Sequence, residues 1–449
     1  MISRRALVTS TAAVLLAATV EGCANNPVGK LFKGKSTRGY QGTGTRIPVL
    51  SASGSLDPAP ALKGVDFAIP APQPQTSWPV PGGLYDGYID HVDAGTGFQV
   101  AWRRKVGSGG SRQSHPTGAP VIADGVIYTL DGKATVTALD ERSGDTLWKS
   151  DLATRTRRDK EGYGGGVAFA EGLVFVSSGY RFVAALDAKT GATKWRVAME
   201  SPVHGAPTYS AGKVFVTDIV DQFYALEAQT GAVSWDYQAL EEPARVLAAP
   251  SAVISGDVVV APFASGEVVA MRVANGSPVW TDTLSFTSRN NALSEIRDIP
   301  GRPVVYRGDV FAGSHSGMFG SITLRDGRRR WDLPITTITT PWPAGDVVYV
   351  VDQSGQVICI ARESGQIYWK VNLNEGIRKV KKRPVWTSPI LAGNKLMLAN
   401  SHGLLIALDP KTGAKQSEIK LGAAAYVGPI AANGTVYFLT DDAELVAIR

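Results

Sequence analysis

A tryptophan that returns at a fixed distance after a glycine constrains this chain more than any other feature. The unit reads TALDERSGDTLW at Thr137–Trp148, AALDAKTGATKW at Ala184–Trp195 and YALEAQTGAVSW at Tyr224–Trp235. Looser copies end at Trp280, Trp331 and Trp369, and a seventh, IALDPKTGAKQS, carries Ser417 in the tryptophan place. In all seven the glycine stands four residues earlier: Gly144, Gly191, Gly231, Gly276, Gly327, Gly365 and Gly413. A self-similar period of about 40–50 residues implies stacked copies of one supersecondary unit, not a set of unrelated domains.

Each copy can be divided into strands. Apolar pairs such as Val126–Leu130 with Thr135–Leu139 and Leu173–Ser177 with Phe182–Leu186 recur down the chain, ending with Thr435–Leu439 and Glu444–Ile448. Eight such pairs are found, each preceded by another short apolar run (Ala119–Ala123, Ala206–Tyr209, Ser388–Leu391, Gly428–Ala431), and the first seven are followed by the glycine turn and a strand that carries the tryptophan or, in the seventh, Ser417. Four short strands per unit make a propeller blade. The last unit stops at Arg449 without an outer strand, whereas Phe98–Trp102 is an outer strand with no unit before it. The expectation is an all-β, eight-bladed β-propeller of four-stranded antiparallel blades, closed by the N-terminal tryptophan strand, which removes an exposed edge.

The glycine should adopt positive φ in a bulged hairpin turn. Asp140, Asp187 and Asp409 open that turn, where a carboxylate accepts backbone N–H groups. The tryptophan should span to the next blade, so that Trp195→Ala costs about 3–5 kcal/mol. These recurring residues are framework.

The N-terminus reads differently. Arg4 and Arg5 precede a small apolar stretch, Ala6–Val20, that is too short for an ordinary membrane span and ends in Val20-Glu21-Gly22-Cys23. That is a secretory signal followed by a motif resembling the lipobox of bacterial lipoproteins. Cleavage before Cys23 frees a thiol and an amine for acylation, and several acyl chains anchor stably where one does not. Ala24 resembles the sorting residue of outer-membrane lipoproteins. No other stretch of about 18 apolar residues exists. Residues 24–76 lack strand or helix periodicity, and Leu56–Pro81 holds seven prolines; such a segment is extended. The expected organisation is a signal peptide at 1–22, a Pro-rich tether at 23–76, and the propeller at 77–449.

The unit A-L-D-x-x-T-G-x-x-x-W resembles the repeat of quinoprotein-like propellers, named for enzymes that bind pyrroloquinoline quinone (PQQ). An eight-bladed body, a lipobox and a short Pro-rich tether together resemble the BamB family of outer-membrane assembly lipoproteins, and Trp78 to Gly83 resembles alphaproteobacterial members. The resemblance implies a periplasmic, lipid-anchored scaffold that docks on BamA within the assembly machinery and assists insertion of unfolded β-barrel precursors. It implies two contact loops. Arg245, before Ala248-Ala249-Pro250, takes the place of a family arginine. Asp298, with its neighbour Arg297, precedes Pro303-Val304-Val305 and takes the place of a family aspartate. Glu242, Ala244 and Pro300 depart from the family pattern.

Catalytic chemistry is not indicated. The two cysteines, Cys23 and Cys359, are far apart in sequence and context, and Cys359 lies in an apolar strand, as a core thiol does. His91, His115, His204, His315 and His402 show no metal-ligand spacing. The residues therefore indicate no cofactor, no metal and no catalytic group. A net charge of +6 without a long basic stripe argues against nucleic acid. Basic clusters at Arg155–Lys160, Arg328–Arg330 and Arg378–Arg383 read as solvated loops or as contacts for an anionic surface. Two alternatives stay open at this point: a PQQ-dependent periplasmic dehydrogenase and a periplasmic carbohydrate- or peptide-binding propeller.

Overall fold

A computed structural model describes residues 56–86, 88–95, 97–110, 115–153, 162–242, 245–246, 250–285, 296–376 and 383–449. Cys23, the leader and the basic runs at 155–160 and 378–382 lie outside the described residues. The described strands form eight antiparallel sheets of four. Blade 1 is Val121–Ala123, Val126–Leu130, Thr135–Asp140 and Thr146–Asp151, and each later blade repeats that order. Blade 8 takes three strands from the C-terminus (Ile430–Ala432, Thr435–Leu439, Glu444–Ile448) and its outer strand, Val100–Lys105, from the N-terminus. Trp102 lies opposite Ala447 and Lys105 opposite Glu444. Gln99 and Arg449 exchange both backbone hydrogen bonds, at 2.8 and 2.9 Å.

The burial pattern follows from stacking. In blade 2 the strands Gly165–Ala170 and Leu173–Ser178 are buried along their whole length, because neighbouring blades cover both faces. Outer strands such as Thr193–Ala198 alternate between half-buried and exposed, because their edge meets water. The inner strands are shorter than the sequence suggests: Thr208–Ser210, Ile390–Ala392 and Ile430–Ala432 each begin directly after a proline (Pro207, Pro389, Pro429). A proline has no N–H to give to the ladder, so pairing starts one residue later.

The repeat locks the ring. Gly191 has φ +73°, and a Cβ there would lie 2.5 Å from Cε3 of Trp148 in the preceding blade. The glycine therefore makes the left-handed turn and also forms the floor on which the neighbouring indole rests. Nε1 of Trp148 donates to Ala188 O at 3.0 Å, and Trp195, Trp235, Trp280 and Trp331 repeat the bond to the next blade. The turn carboxylates act as expected: Asp140 Oδ1 accepts from the N–H groups of Arg142 and Ser143, at 3.0 and 2.9 Å. Each glycine turn is accompanied by a bulge, as between Ala138 and Leu139.

The stretch read as tether differs from expectation over residues 56–76, which lie on the propeller. Phe67 is buried, with its ring 4.5 Å from that of Tyr368. Ala59 N–H donates to Ile367 O at 2.8 Å, and Ala68 exchanges hydrogen bonds with Asp346. Extended, proline-rich backbone cannot fold alone, but it pairs and packs where a preformed surface offers carbonyls and an aromatic slot. The segment continues across the face that carries the turns between inner and second strands. Val92 pairs with Ala392, Ala94 with Gly434 and Trp78 with Ile122. His91 pins it: Nδ1 lies 2.6 Å from Pro70 O, and Nε2 accepts from Asn394 N–H at 3.0 Å. Cys359 is fully buried, and burial pushes its thiol well above the usual range.

Candidate partner-binding loops

In an antiparallel meander the loops between blades emerge on the face opposite the turns that the N-terminal segment covers. Arg245 lies in the connection from blade 3 to blade 4, and Asp298 in the connection from blade 4 to blade 5. The structure brings these two loops together. Val246 N–H donates to Asp298 Oδ2 at 2.8 Å. Arg245 Nη2 reaches Asp221 Oδ2 at 3.2 Å and Glu242 O at 3.4 Å. The other carboxylate oxygen of Asp221 accepts from Ala264 N–H, in the next blade, at 3.1 Å. Asp221 thus ties two blades and the Arg245 loop into one unit.

Electrostatically the cluster is acidic and buried. Asp218, Asp221 and Asp298 are all buried, and only Arg245 among the described neighbours balances them. Burial is the largest influence on Asp298 and pushes it up to about 6, against the lowering effect of the Val246 N–H and of Arg245. Burial likewise raises Asp221 and Asp218. An aspartate whose folded pKa lies above its unfolded value of about 3.9 binds its proton more tightly in the native state. Its contribution to stability therefore falls as pH rises from about 4 to about 6, and the ionised cluster is held in tension at neutral pH. His204, beside Arg245, is pushed down to about 4 by burial and remains neutral.

Of the residues singled out from sequence, Arg245 and Asp298 share this cluster, Arg297 is exposed beside it, and Cys23 lies outside the described residues. Sequence reasoning missed Asp221, Asp218 and His204. Asp218 belongs to turn chemistry: its Oδ1 accepts from Val220 and Gln222 N–H, as Asp131 does from Lys133 and Thr135. Asp221 holds a left-handed turn position (φ +61°) where blade 1 has Ala134 and blade 2 Arg181. Leu240 was also missed. At 68% it is the most exposed large apolar residue described, and it stands at the start of the Arg245 loop. The basic cluster at Arg328–Arg330 is partly spent within the fold, with Arg329 on Asp282 at 2.7 Å and Arg330 on Asp309 at 2.6 Å. Among the described residues no group of His, Cys, Asp or Glu could hold a metal ion.

The same face opens into an axial cavity of about 760 Å³, lined by the residues that lead into the inner strands and closed at the other end by Trp78, Pro81 and Gly82. His115 at its wall pairs with Asp441 at 2.8 Å.

A model of the family of outer membrane protein assembly factor BamB matches residues 132–371. The BamB of Alkalilimnicola ehrlichii is 35% identical over 362 residues, covering 80% of this chain and 91% of that protein. The BamB of Escherichia coli is 27% identical over 208 residues, 46% of this chain and half of that one. The crystal structure of BamB from Moraxella catarrhalis superposes with a TM-score of 0.66 at 19% identity, covering 77% of this chain and 99% of that one. A quinohemoprotein alcohol dehydrogenase from Pseudomonas putida superposes at 0.64 with 16% identity, covering 84% and 80%, a likeness of fold alone.

Proposed function

The chain belongs to the BamB family of outer membrane protein assembly factors, and we propose that it is a non-enzymatic scaffold of outer-membrane protein assembly. In this reading Cys23 is the lipid anchor, the propeller stands on the periplasmic face of the outer membrane, and the loops around Arg245 and Asp298 dock on BamA. The observation that carries it is the closure of two loops, distant in sequence, through the 2.8 Å bond from Val246 to Asp298. Asp298 holds the Val246 N–H and Asp221 the Arg245 guanidinium, with exposed Leu240 and Arg297 beside them. Side chains held in place before contact lose less conformational entropy on binding. Buried Asp298 acts as a brace within the interface rather than as a contact.

The test is recovery of BamA from solubilised membranes on the tagged full chain. Arg297→Glu and Leu240→Ser leave the buried cluster untouched and should each lower recovery about tenfold, the ordinary cost of losing an anchor contact. Arg245→Glu, facing Asp221, should abolish it. Undiminished recovery with all three folded variants, or PQQ-dependent dye reduction by the wild type, defeats the reading.

A further inference from the structure

The axial cavity contains a buried cation with no counter-ion among the described residues. Arg302 lines the wall, is 8% exposed, and sits in the connection that leads into the inner strand of blade 5. Its Nε donates to Ala252 O at 3.3 Å, and among the described residues neither terminal nitrogen has a carboxylate partner. Burial lowers its pKa to about 10. Leaving a desolvated guanidinium unpaired is costly, and proteins ordinarily supply a carboxylate at such a place. A second orphan lies within electrostatic reach: the Tyr88 hydroxyl is buried without a hydrogen-bond partner. Gly82 leaves the space for the guanidinium, since a Cβ there would lie 2.0 Å from Nη1.

The surroundings define what could complete the charge. On the described wall His115 is already hydrogen-bonded to Asp441, at 2.8 Å. The remaining described wall is largely apolar, with Trp342 and Trp386 set among prolines and aliphatic residues, and it also carries Thr339 and Ser251. The Trp78–Gly82 segment closes the cavity on the Arg302 side, where Trp78 N and O both bond to Ile122. A ligand that enters opposite this segment reaches the cation with its end, not its middle.

We propose that the axial cavity captures the C-terminal carboxylate of a polypeptide with an apolar last residue, with Arg302 as the anion-binding group. A guanidinium presents a planar fork that matches a carboxylate. The apolar wall receives the last side chain. The site stands on Arg302 and the blind cavity alone and does not depend on docking to BamA.

The experiment is calorimetric titration of the full chain with a short synthetic peptide ending in leucine, as free acid and as C-terminal amide. The free acid should bind saturably, and the amide about tenfold or more weaker, the value of one hydrogen bond to a buried charge. Arg302→Met keeps the stem and removes the charge, so it should lower affinity for the acid by a similar factor and leave the amide unchanged. The wild-type comparison of acid with amide decides the matter even if that variant fails to fold. Absence of saturable binding, equal binding of acid and amide, or undiminished binding by a folded Arg302→Met protein overturns the proposal. N-acetyl-leucine binding as tightly as the peptide also overturns it, since the ligand would then be a small acid.

Discussion

Two junctions of the ring, between blades 5 and 6 and between blades 7 and 8, are built on different chemistry. At the first, Trp331 of the outer strand rests on Gly365 of the next blade, donates to Arg362 O at 2.8 Å and packs against Phe311 and Phe319. At the second, the outer strand Lys415–Lys420 carries Ser417, and the next blade has no glycine turn, because its third and outer strands come from opposite ends of the chain. There the contact is polar: Arg103 of blade 8 reaches Lys420 O at 3.0 Å and Leu421 O across the junction, and Glu444 of its own blade at 3.2 Å. The tryptophan is absent where its glycine floor is absent. The two residues are one device shared between neighbouring blades, and ring closure removes both halves together.

The largest expected effect tests the apolar side of this contrast. Trp331→Ala should lower unfolding free energy by about 3–5 kcal/mol, the cost of truncating a buried tryptophan. Trp195, which is half-buried, should fall at the low end of that range. Urea denaturation of the purified proteins measures both. A loss below about 1 kcal/mol at Trp331 would mean that the blades hold together without the indole.

The seam should respond in kind but by less. Arg103→Met removes hydrogen bonds to two carbonyls and a carboxylate at a partly exposed site, worth about 1–3 kcal/mol together. The effect should be local, with amide exchange accelerating in Val100–Lys105 and Glu444–Ile448 before it does so in blade 1. Exchange that accelerates uniformly round the ring would show that the seam is not a separate weak point.

Most of the architecture was legible because the repeat records a contact between neighbouring units. The count of tryptophan strands, the orphan at Trp102 and the missing eighth outer strand specify eight blades and their closure, and the structure agrees. The boundary of the folded body was less legible. Residues 56–76 have no periodicity of their own, and they are ordered by surfaces such as Tyr368 and Asp346 that lie hundreds of residues away. The candidate loops were found by resemblance, which named Arg245 and Asp298 but not the partner that connects them. Asp221 sits in a turn of another blade, and only the stacking of blades brings its carboxylate to Arg245 and Ala264. Arg302 was unreadable for the same reason: a lone arginine before a strand gives no sign that it will be buried against Gly82 with no acid beside it.

The smallest expected effect is the sharpest test of the shared device. Restoring the repeat with Ser417→Trp should leave stability within about 0.5 kcal/mol of the parent, the range of an ordinary surface substitution. The introduced indole would meet a blade without a glycine turn, so its ring gains no floor. The five tryptophans that donate across a junction use a carbonyl beside that turn, such as Ala228 O for Trp195, and blade 8 has no such turn. Trp102 and Trp369, which rest on Gly144 and Gly413 but leave Nε1 unpaired, show that the floor and not the hydrogen bond is the common element. A gain above about 1.5 kcal/mol in the urea midpoint analysis would overturn this pairing, because the tryptophan would then stabilise a junction without its glycine.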